Sequence, residues 1–527
     1  MTVHGRGRFL LIAATSVLAG VAAVRTCSGA SDAPVAVSPA SVVVNIRDFG
    51  AIGDGRIHPV TELIVHGRFL KLRAVQKLYP FVDSLDWTVD EVAFERAKRA
   101  LPPVGGTIHF PAGNYVTGKY PWKILRDNVR LTGDGPDRTI LATAPRVSDA
   151  LVVAPYRHEG WLEGADREFL FTEASGARGE DSLQLKLPVW SRDFEPGELV
   201  FIRSGANRFD QDYGEFNEIA GVTSTGSVRL KFPLSRDYTL SRVNWAGETA
   251  TDFVLPGKGR AVVVALRTGE GFFTPPAKAT VTIDENIFRV ANSAPGRLRL
   301  ADEGANAPRG TVIRAGSKLA KSRTIIKVTR TVRNFRCANL KIIGRRKVLN
   351  LSNTYDSAFT DCAFVREPAG SGFKGGLTID GDGGRFAKFE RCTITADPPA
   401  GMQFARSFGN VVFSDCTFKN TNVAFTEFNF DCEVSHCSFD VRGSSGLTSV
   451  IIAGKSCANL RFIDNRIHAS GVSNILDTHS DIQSQKHGSE GEVIVRDNNI
   501  DAEGVAQIFP ATKPQRMAIE NNRVTRR

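Results

Sequence analysis

A phrase of four residues recurs seven times in the last third of the chain, and it constrains the fold more than any other feature. The phrases begin at Asp361, Arg391, Asp415, His436, Asp464, Asp497 and Asn521, at steps of 30, 24, 21, 28, 33 and 24 residues. Each phrase has Cys or Asn second and an apolar residue fourth. Repeats of this length, built from short strand patterns, indicate stacked units. They predict a parallel β-helix whose equivalent residues lie about 4.8 Å apart.

The second position of the phrase is a column shared by cysteine and asparagine. It holds Cys362, Cys392, Cys416 and Cys437, and then Asn465, Asn498 and Asn522. This exchange is typical of a small buried residue in a stack of side chains, so we expect free thiols. Adjacent rungs lie within the Cα range of a disulfide, which leaves a bridge as the alternative. No spacing resembles a zinc site.

The charge of the chain bears on its partners. Lys and Arg outnumber Asp and Glu by 67 to 56, a net charge of +11 over 527 residues. This excess favours an acidic partner, such as a uronate-containing polysaccharide or oligosaccharide, over a neutral one. The sequence has no nucleic-acid recognition motif and no dense basic tract, so nucleic acid is not an expected partner.

Residues 1–30 have the pattern of a signal peptide. Arg6 and Arg8 precede an apolar run over residues 9–24 that ends among small residues. The run is too short and too rich in alanine for a membrane span. We therefore expect a secreted or periplasmic protein with no stable membrane insertion after signal cleavage. Lipid anchoring at Cys27 is not expected, because Arg25 fits poorly with a lipid-attachment motif.

Two motifs near the N-terminus resemble a known family. Residues 45–55 read NIRDFGAIGDG and residues 105–115 read GGTIHFPAGNY, with a helical pattern over 89–101 between them. Together they resemble the N-terminal region of the pectate lyase superfamily, which implies a right-handed parallel β-helix over about residues 42–145 and 331–527. That superfamily includes polysaccharide lyases, glycoside hydrolases, uronan epimerases and phage tail spikes. The chain departs from it in a long insertion over residues 56–88, for which we expect a short helix over about 70–78.

These features predict an all-β fold, a right-handed single-stranded parallel β-helix with a β-rich inserted subdomain. After the signal peptide, residues 42–156 form an N-terminal cap and the first coils, and residues 331–527 form the later coils. Residues 157–330 lack the phrase and contain two similar β patterns, at 194–230 and 281–300. They could bind glycan, wall a groove or be a lateral decoration.

A column of turn residues precedes the phrases. It contains Asp356, Asn410, Asp431 and Asn459, with Phe386 as the exception. Asn and Asp suit such turns because their side chains bond to nearby backbone and tolerate unusual dihedral angles. We therefore interpret this column as structural.

The strand before each turn offers candidate chemistry. Four residues before each turn lie Ser352, Asp382, Arg406, Glu427 and Lys455, and the next coil offers Asp477 and His479. In proteins of the resembled fold the exposed face of this strand often lines the substrate groove. The column could equally be a solvated ladder of ion pairs. A register slip of one residue would point it inward.

Two reactions fit this column. A lyase could use Arg406 or Lys455 to neutralise a uronate or to remove the C5 proton, with His479 or Tyr355 assisting proton transfer. An inverting hydrolase needs two carboxyl groups about 6.5–9.5 Å apart. Asp382 and Glu427 are two rungs apart, or about 9.6 Å between backbones.

Two further features accompany the column. Asp380 and Asp382 could hold Ca²⁺ through carboxylate oxygens, although two carboxylates are few and no other metal ligand is assigned. Phe404 and Phe425 occupy matching places on adjacent rungs, as a sugar-stacking platform or as core.

The leading prediction is an exported enzyme that cleaves an acidic polysaccharide by β-elimination. An inverting glycoside hydrolase and a non-catalytic glycan-binding surface protein are the alternatives. The predicted catalytic residues are Asp382, Arg406, Glu427, Lys455 and His479. The predicted substrate-binding residues are Tyr355, Asp380, Phe404, Phe425 and Asp477.

Overall fold

A computed structural model describes most of the chain from residue 42 onwards. The described ranges are 42–63, 72–155, 174–185, 191, 194–203, 214–223, 225–238, 244–255, 261–267, 280–283, 286–294, 296–301, 310–321, 325–327, 331–368, 376–426, 428–444, 447–454, 457–478, 492–510 and 517–527. The predicted signal peptide with Cys27, and the candidates Glu427, Lys455 and His479, lie outside these ranges.

The N-terminal part combines a helical cap with the first coils. Short 3-10 helices span Ile46–Phe49 and Val60–Leu63, and the α-helices are α1 (Leu72–Leu78) and α2 (Val89–Ala100). The strands are β1 (Val43–Asn45), β2 (Gly106–Phe110), β3 (Gly113–Thr117), β4 (Trp122–Ile124), β5 (Val129–Gly133), β6 (Thr139–Thr143) and β7 (Asp149–Val153). Helix α2 begins where expected, because Thr88 and Glu91 form a reciprocal capping box at its start.

The middle of the chain is antiparallel and lies within the segment predicted as an insertion. Its strands are β8 (Ala174–Ser175), β9 (Ser182–Leu185), β10 (Leu199–Arg203), β11 (Gly214–Val222), β12 (Ser227–Leu230), β13 (Asn244–Thr249), β14 (Phe253–Val254), β15 (Ala261–Arg267), β16 (Thr280–Ile283), β17 (Asn286–Ala294), β18 (Arg297–Ala301), β19 (Val312–Ile313), β20 (Lys318–Lys321) and β21 (Ile325–Lys327). One sheet has the order β21-β10-β11-β12-β9-β8, and a closed barrel has the order β13-β15-β18-β17-β16-β20. A small β14-β19 pair completes this part.

The last part consists of coils in regular succession. Its strands are β22 (Val332–Ala338), β23 (Lys341–Gly344), β24 (Lys347–Thr360), β25 (Ala363–Arg366), β26 (Leu377–Glu390), β27 (Thr393–Ala396), β28 (Gln403–Ser414), β29 (Thr417–Lys419), β30 (Val423–Phe425), β31 (Phe430–Ser435), β32 (Ser438–Arg442), β33 (Ser449–Ala453), β34 (Ala458–Ile463), β35 (Arg466–Ser470), β36 (Asn474–Asp477), β37 (Val493–Arg496), β38 (Asn499–Glu503), β39 (Met517–Glu520) and β40 (Arg523–Arg526).

The coils have three faces of parallel strands. The first face contains β4, β7, the N-terminal halves of β24, β26 and β28, and then β30, β33 and β36. The second face contains β1, β2, β5, β22, the C-terminal halves of the same three long strands, and then β31, β34, β37 and β39. The third face runs β3-β6-β23-β25-β27-β29-β32-β35-β38-β40. This pairing confirms the predicted fold class, an all-β right-handed parallel β-helix with a β-rich insertion.

The repeated phrase marks the corner between the second and third faces. The first residue of every phrase has a left-handed backbone, with φ between 51° and 60°. The fourth residues pair in register from coil to coil, as in Phe364 with Ile394 and Phe418 with Phe439. The rings of Phe418 and Phe439 stack with centroids 4.4 Å apart. The phrase therefore repeats because each coil turns the same corner and fills the same core column.

The Cys/Asn column forms a buried ladder of hydrogen bonds. The backbone N–H of Cys392 donates to Sγ of Cys416 at 3.4 Å, and that of Cys437 donates to Oδ1 of Asn465 at 2.9 Å. Asn465 in turn donates its backbone N–H to Oδ1 of Asn498 at 2.9 Å. The described cysteines are free and buried, as expected from the exchange of residue types. Outside this column, burial raises the pKa of the Cys432 thiol in β31 well above its ordinary value.

Aromatic stacking fills the centre of the coils and corrects one prediction. Phe389 stacks between Phe359 and Phe413, with ring centroids 4.7 and 4.5 Å away. Phe404 and Phe425 pair on adjacent rungs as predicted, but both are fully buried in this core. They cannot form a sugar-stacking platform, because their side of the strand faces inward.

Candidate active site

The first and second faces meet at the predicted turn column. Its five residues all have left-handed φ angles, between 52° and 62°: Asp356, Phe386, Asn410, Asp431 and Asn459. The turn column is therefore confirmed. Because the strands bend at this column, residues a fixed number of positions before it lie on the first face.

The outward side of the first face contains a continuous row. Strand pairing places Lys123 beside Val152, Val152 beside Asn350, Asn350 beside Asp380, and Asp380 beside Gln403. The residues that alternate with these, such as Leu351, are buried in the core, so the row faces away from it.

Polar side chains of neighbouring rungs are joined around this row. Nζ of Lys347 lies 2.7 Å from Oδ2 of Asp380, and Nε2 of Gln403 donates to Oδ1 of Asp380 at 3.1 Å. Nδ2 of Asn350 donates to Oδ2 of Asp149 at 3.2 Å. The side chains of Lys347 and Asp380 are only 19% and 12% exposed, so this ion pair lies in a recess rather than on an open surface.

Asp382 lies next to this network on the same side of β26. It pairs with Ser352, as the column predicted, and it is half-buried. Oγ of Ser352 donates to Oδ1 of Asn350 at 2.9 Å. Asp380 and Asp382 are alternate residues of one strand, so their Cα atoms are about 6.6 Å apart. We call Asp149, Lys347, Asn350, Ser352, Asp380, Asp382 and Gln403 the polar row.

The residue between the two aspartates must be small. A Cβ atom at Gly381 would overlap the ring of Phe404, which fills the core beneath it. Glycine at this position lets the aromatic core approach the strand while Asp380 and Asp382 face outward.

The predicted alignment fails by one residue at Arg406. Asp382 pairs with Ala405, and Gly384 then pairs with Phe408, so β28 contains a bulge with one extra residue. Arg406 and Ser407 lie in this bulge, where a count from the turn cannot detect the extra residue. Arg406 is therefore not the backbone partner of Asp382, and the predicted line of four charged residues is wrong at this rung.

Asp477 is the one remaining column member that the structure describes. Phe425 and Ala453 pair in register, and they end the strands that precede Glu427 and Lys455. Asp477 ends β36 and pairs with Ile452, which places its half-buried side chain further along the first face. Its predicted role in substrate binding stays a prediction.

Tyr355 does not lie on an open surface. It is 7% exposed and packs edge-on against Phe386, with ring centroids 5.5 Å apart. It belongs to the apolar cluster that contains Phe216 and Phe232 of the antiparallel part. Burial, followed by the carboxylate of Glu218, raises the pKa of Tyr355 far above its ordinary value. The prediction that it binds substrate or assists proton transfer is therefore corrected.

The antiparallel part contacts the coils at this bend. The backbone N–H of Gly214 donates to Oγ of Ser407 at 2.8 Å, and Arg385 donates to the carbonyl oxygen of Phe216 at 2.8 Å. The insertion thus contacts the same coils that carry Asp380 and Asp382.

Sequence reasoning missed four members of the polar row. Asn350 could have been found, because it stands six residues before its turn, as Asp380 does. Gln403 stands seven residues before its turn because of the bulge. Lys347 and Asp149 come from positions outside the repeat, and only strand pairing brings them to Asp380 and Asn350.

The described residues contain no group of three or more His, Cys, Asp or Glu side chains arranged to hold a metal ion. At Asp380 an ammonium group already contacts the carboxylate. Calcium binding by Asp380 and Asp382 stays a prediction. No helix in the described part of the chain is long and apolar enough to span a membrane.

Fold and site together define a parallel β-helix protein with a polar row on its first face. No family model and no curated protein matches the chain. Among solved structures, it is similar to the tailspike gp49 of Pseudomonas phage LKA1, at 14% identity and a TM-score of 0.42, over 91% of this chain and 81% of that one. The tailspike gp61 of Pseudomonas phage phi297 gives 14% identity and a TM-score of 0.40, over 92% and 75%. The A-module of Azotobacter vinelandii mannuronan C-5 epimerase AlgE4 gives 11% and 0.33, over 91% and 95%.

Proposed function

We propose that the protein binds a polysaccharide along the first face and cleaves it at Asp380 and Asp382. The observation that carries this proposal is the pair of aspartates on one side of β26, within a recessed row of amide and hydroxyl groups. Ser352 and Gln403, held by the buried Asn350 and by Asp380, offer the donors and acceptors that sugar hydroxyls require. The resemblance of the N-terminal motifs to the pectate lyase superfamily supports the same substrate class.

Hydrolysis is the reaction that the described groups support best. Two carboxyl groups about 6.5–9.5 Å apart leave room for a water molecule on an inverting path. A Cα separation of about 6.6 Å puts Asp380 and Asp382 at the lower end of that window when their side chains extend in parallel. Asp380, held by Lys347 and Gln403, would activate the water, and the more exposed Asp382 would protonate the leaving oxygen.

A β-elimination is the second candidate, and Lys347 favours it. Its ammonium group lies in the polar row and could carry a uronate carboxylate, while the net charge of +11 favours an acidic polymer. Elimination also needs a base for the C5 proton, for which Arg406 and Lys455 are the candidates from the sequence. We favour hydrolysis because both carboxyl groups that it requires, those of Asp380 and Asp382, lie in the polar row.

The product separates these reactions. The parent protein, incubated with a panel of uronate-containing and neutral polysaccharides, should release reducing ends. Reducing ends without the ultraviolet absorbance of unsaturated uronates indicate hydrolysis, and their appearance with that absorbance indicates elimination. A protein that binds a polymer of the panel but turns over none of them would be a glycan-binding surface protein instead.

Substitution of the row then tests the site. Asp380→Asn and Asp382→Asn should each lower kcat by about 100- to 10,000-fold, because each removes a proton-transferring group. Asp440→Asn is the matched control, since Asp440 is an exposed carboxylate on the third face. Circular dichroism of each variant checks that the coils remain folded. Turnover at the parental rate by both row variants would show that the reaction occurs elsewhere.

A further inference from the structure

A cavity of about 240 Å³ opens in the N-terminal cap, away from Asp380 and Asp382. It lies between α2, the chain over residues 81–87 and the start of β4. Part of its wall comes from residues 56–88, the insertion by which the chain departs from the family that it resembles. The proposed cleavage leaves this cavity unexplained.

Three of the four aromatic rings that line the cavity pack together, and the carboxylate of Asp83 holds two of them. The ring centroid of Trp87 lies 5.7 Å from that of Phe81 and 5.6 Å from that of Tyr120. Nε1 of Trp87 donates to Oδ1 of Asp83 at 2.8 Å, and the hydroxyl of Tyr120 donates to Oδ2 at 2.5 Å. Asp83 thereby fixes the orientation of two rings and occupies their polar ends. The wall is aromatic, as in sites for ring-shaped ligands.

The acidic groups of the cavity are already engaged. Glu91 accepts hydrogen bonds from the backbone N–H groups of Gly118, Lys119 and Tyr120. Glu95 forms an ion pair with Lys98. Burial would raise the pKa of the Asp83 carboxyl group, but the hydrogen bonds from Tyr120 and Trp87 together hold it below its ordinary value.

Two cations lie at the same cavity. The Arg99 guanidinium is 4.6 Å from the ring centroid of Phe81, and it makes no ion pair with a described residue. Nζ of Lys123 is 5.2 Å from the ring centroid of Tyr120. An aromatic wall with cations beside it suits a ring-shaped ligand that bears an anionic group, and an arginine can bind a carboxylate through two hydrogen bonds.

Strand pairing connects the cavity to the proposed site of cleavage. Lys123 lines the cavity and also stands at the N-terminal end of the outward row that continues through Val152 and Asn350 to Asp380. Three rung spacings separate Lys123 from Asp380, or about 14 Å. A chain-like ligand on the first face could therefore reach both places.

We propose that this cavity is a remote subsite that binds a uronic acid residue of the polysaccharide, with Arg99 on its carboxylate and Phe81 and Tyr120 against its ring. The inference rests on the proposed function, because the same polymer would occupy the polar row. It assigns residues 81–87, the end of the insertion over residues 56–88, to substrate recognition.

Direct binding tests the subsite without requiring turnover. The Asp380→Asn variant would be titrated with oligogalacturonates and oligomannuronates, from dimers to octamers, by calorimetry and by tryptophan fluorescence. Affinity should rise at the length that spans both places. Adding Arg99→Gln should weaken binding of these longer oligomers by about 10- to 100-fold, as expected for a lost charged hydrogen bond, and leave the short ones unchanged. Arg73→Gln, an exposed arginine on α1, is the matched control.

The outcomes separate this inference from the proposed function. Equal affinities of the Arg99→Gln variant and its parent for the long oligomers, or no binding of any oligouronate, would overturn the subsite. Turnover of another glycan that depends on Asp380 and Asp382 would still support cleavage at the polar row. A Tyr120→Phe variant, which keeps the ring but loses the bond to Asp83, should weaken binding in the same length-dependent way.

Discussion

Two opposing effects act on the pKa of the Glu91 carboxyl group, which lies at the start of α2. It is 3% exposed, and this burial raises its pKa to about 7. Backbone N–H groups of Lys119, Gly118, Tyr120 and Thr88 donate to it and act in the opposite direction. Burial prevails, so between pH of about 4.5 and 7 the folded protein binds more protons at Glu91 than the unfolded chain does.

This difference predicts that the cap loses stability as pH rises. A carboxyl group whose pKa is raised by folding stabilises the folded state fully when the pH is below its pKa in the unfolded chain. This contribution is lost as the pH rises through about 7. The raised pKa of Glu91 corresponds to a contribution of about 3 kcal/mol to the free energy of unfolding. Buried Asp90, whose pKa is also raised, acts in the same direction. Urea unfolding followed by tryptophan fluorescence across about pH 5 to 8 should show a smaller slope of midpoint against pH for Glu91→Gln. Parallel slopes for both proteins would contradict it.

Single residues show how far sequence reasoning reaches. The exchange of Cys for Asn in one column was sufficient to predict free buried thiols, because Sγ of Cys416 and Oδ1 of Asn465 accept the same kind of backbone hydrogen bond. The bulge at Ser407 could not be predicted from the sequence, because a single extra residue changes neither the composition nor the spacing of the repeat recognisably. That one residue separated Arg406 from Asp382.

At the scale of elements, a buried arginine connects the antiparallel part, strands β8–β21, to the bend of the coils. Arg385 is 3% exposed, lies 3.8 Å from Glu215 and donates to Oδ1 of Asn410. Next to it, Phe386 adopts a φ of 62° in a column where the other residues are Asn or Asp. A left-handed backbone costs such a residue about 1–2 kcal/mol. Packing of its ring against Phe232, with centroids 4.8 Å apart, offsets that cost.

Breaking this buried pair from one side should be costly. Arg385→Met leaves the fully buried Glu215 without its cation, so we expect a loss of about 3–5 kcal/mol in the free energy of unfolding. The double variant Arg385→Met with Glu215→Gln removes both charges and should recover part of that loss. Thermal unfolding and limited proteolysis of the insertion measure both effects. Additive losses in the double variant would show that the two groups do not interact.

The position of the insertion illustrates a second limit of sequence reasoning. Its β-rich character followed from local patterns, and the strands β8–β21 lie within the predicted segment. Its contact with the coils could not be predicted from local patterns, because Gly214 and Ser407 are 193 residues apart in the chain. The same limit hid the polar row, where Asp149 and Asn350 meet across 201 residues.

At the scale of the whole molecule, each coil is stabilised mainly by the coils on either side. Phe389 lies in the middle of the stack and has aromatic neighbours on both sides, Phe359 and Phe413. The last strand, β40, is exposed along its whole length, and Ile519 of β39 is only partly buried. In such a linear array, stability depends on the interfaces between neighbours, so the end should open at lower cost than the middle.

Hydrogen exchange measured by mass spectrometry should resolve this gradient. In the parent, amides of β39 and β40 should exchange faster than those of β24, β26 and β28. Ile519→Ala should accelerate exchange only near the C-terminal coils, because it weakens an interface with one neighbour. Phe389→Ala, at a cost of about 3–5 kcal/mol, should accelerate exchange in the coils on both sides of it. Faster exchange at β24 in the Ile519→Ala variant would mean that the coils open as one cooperative unit rather than from the end.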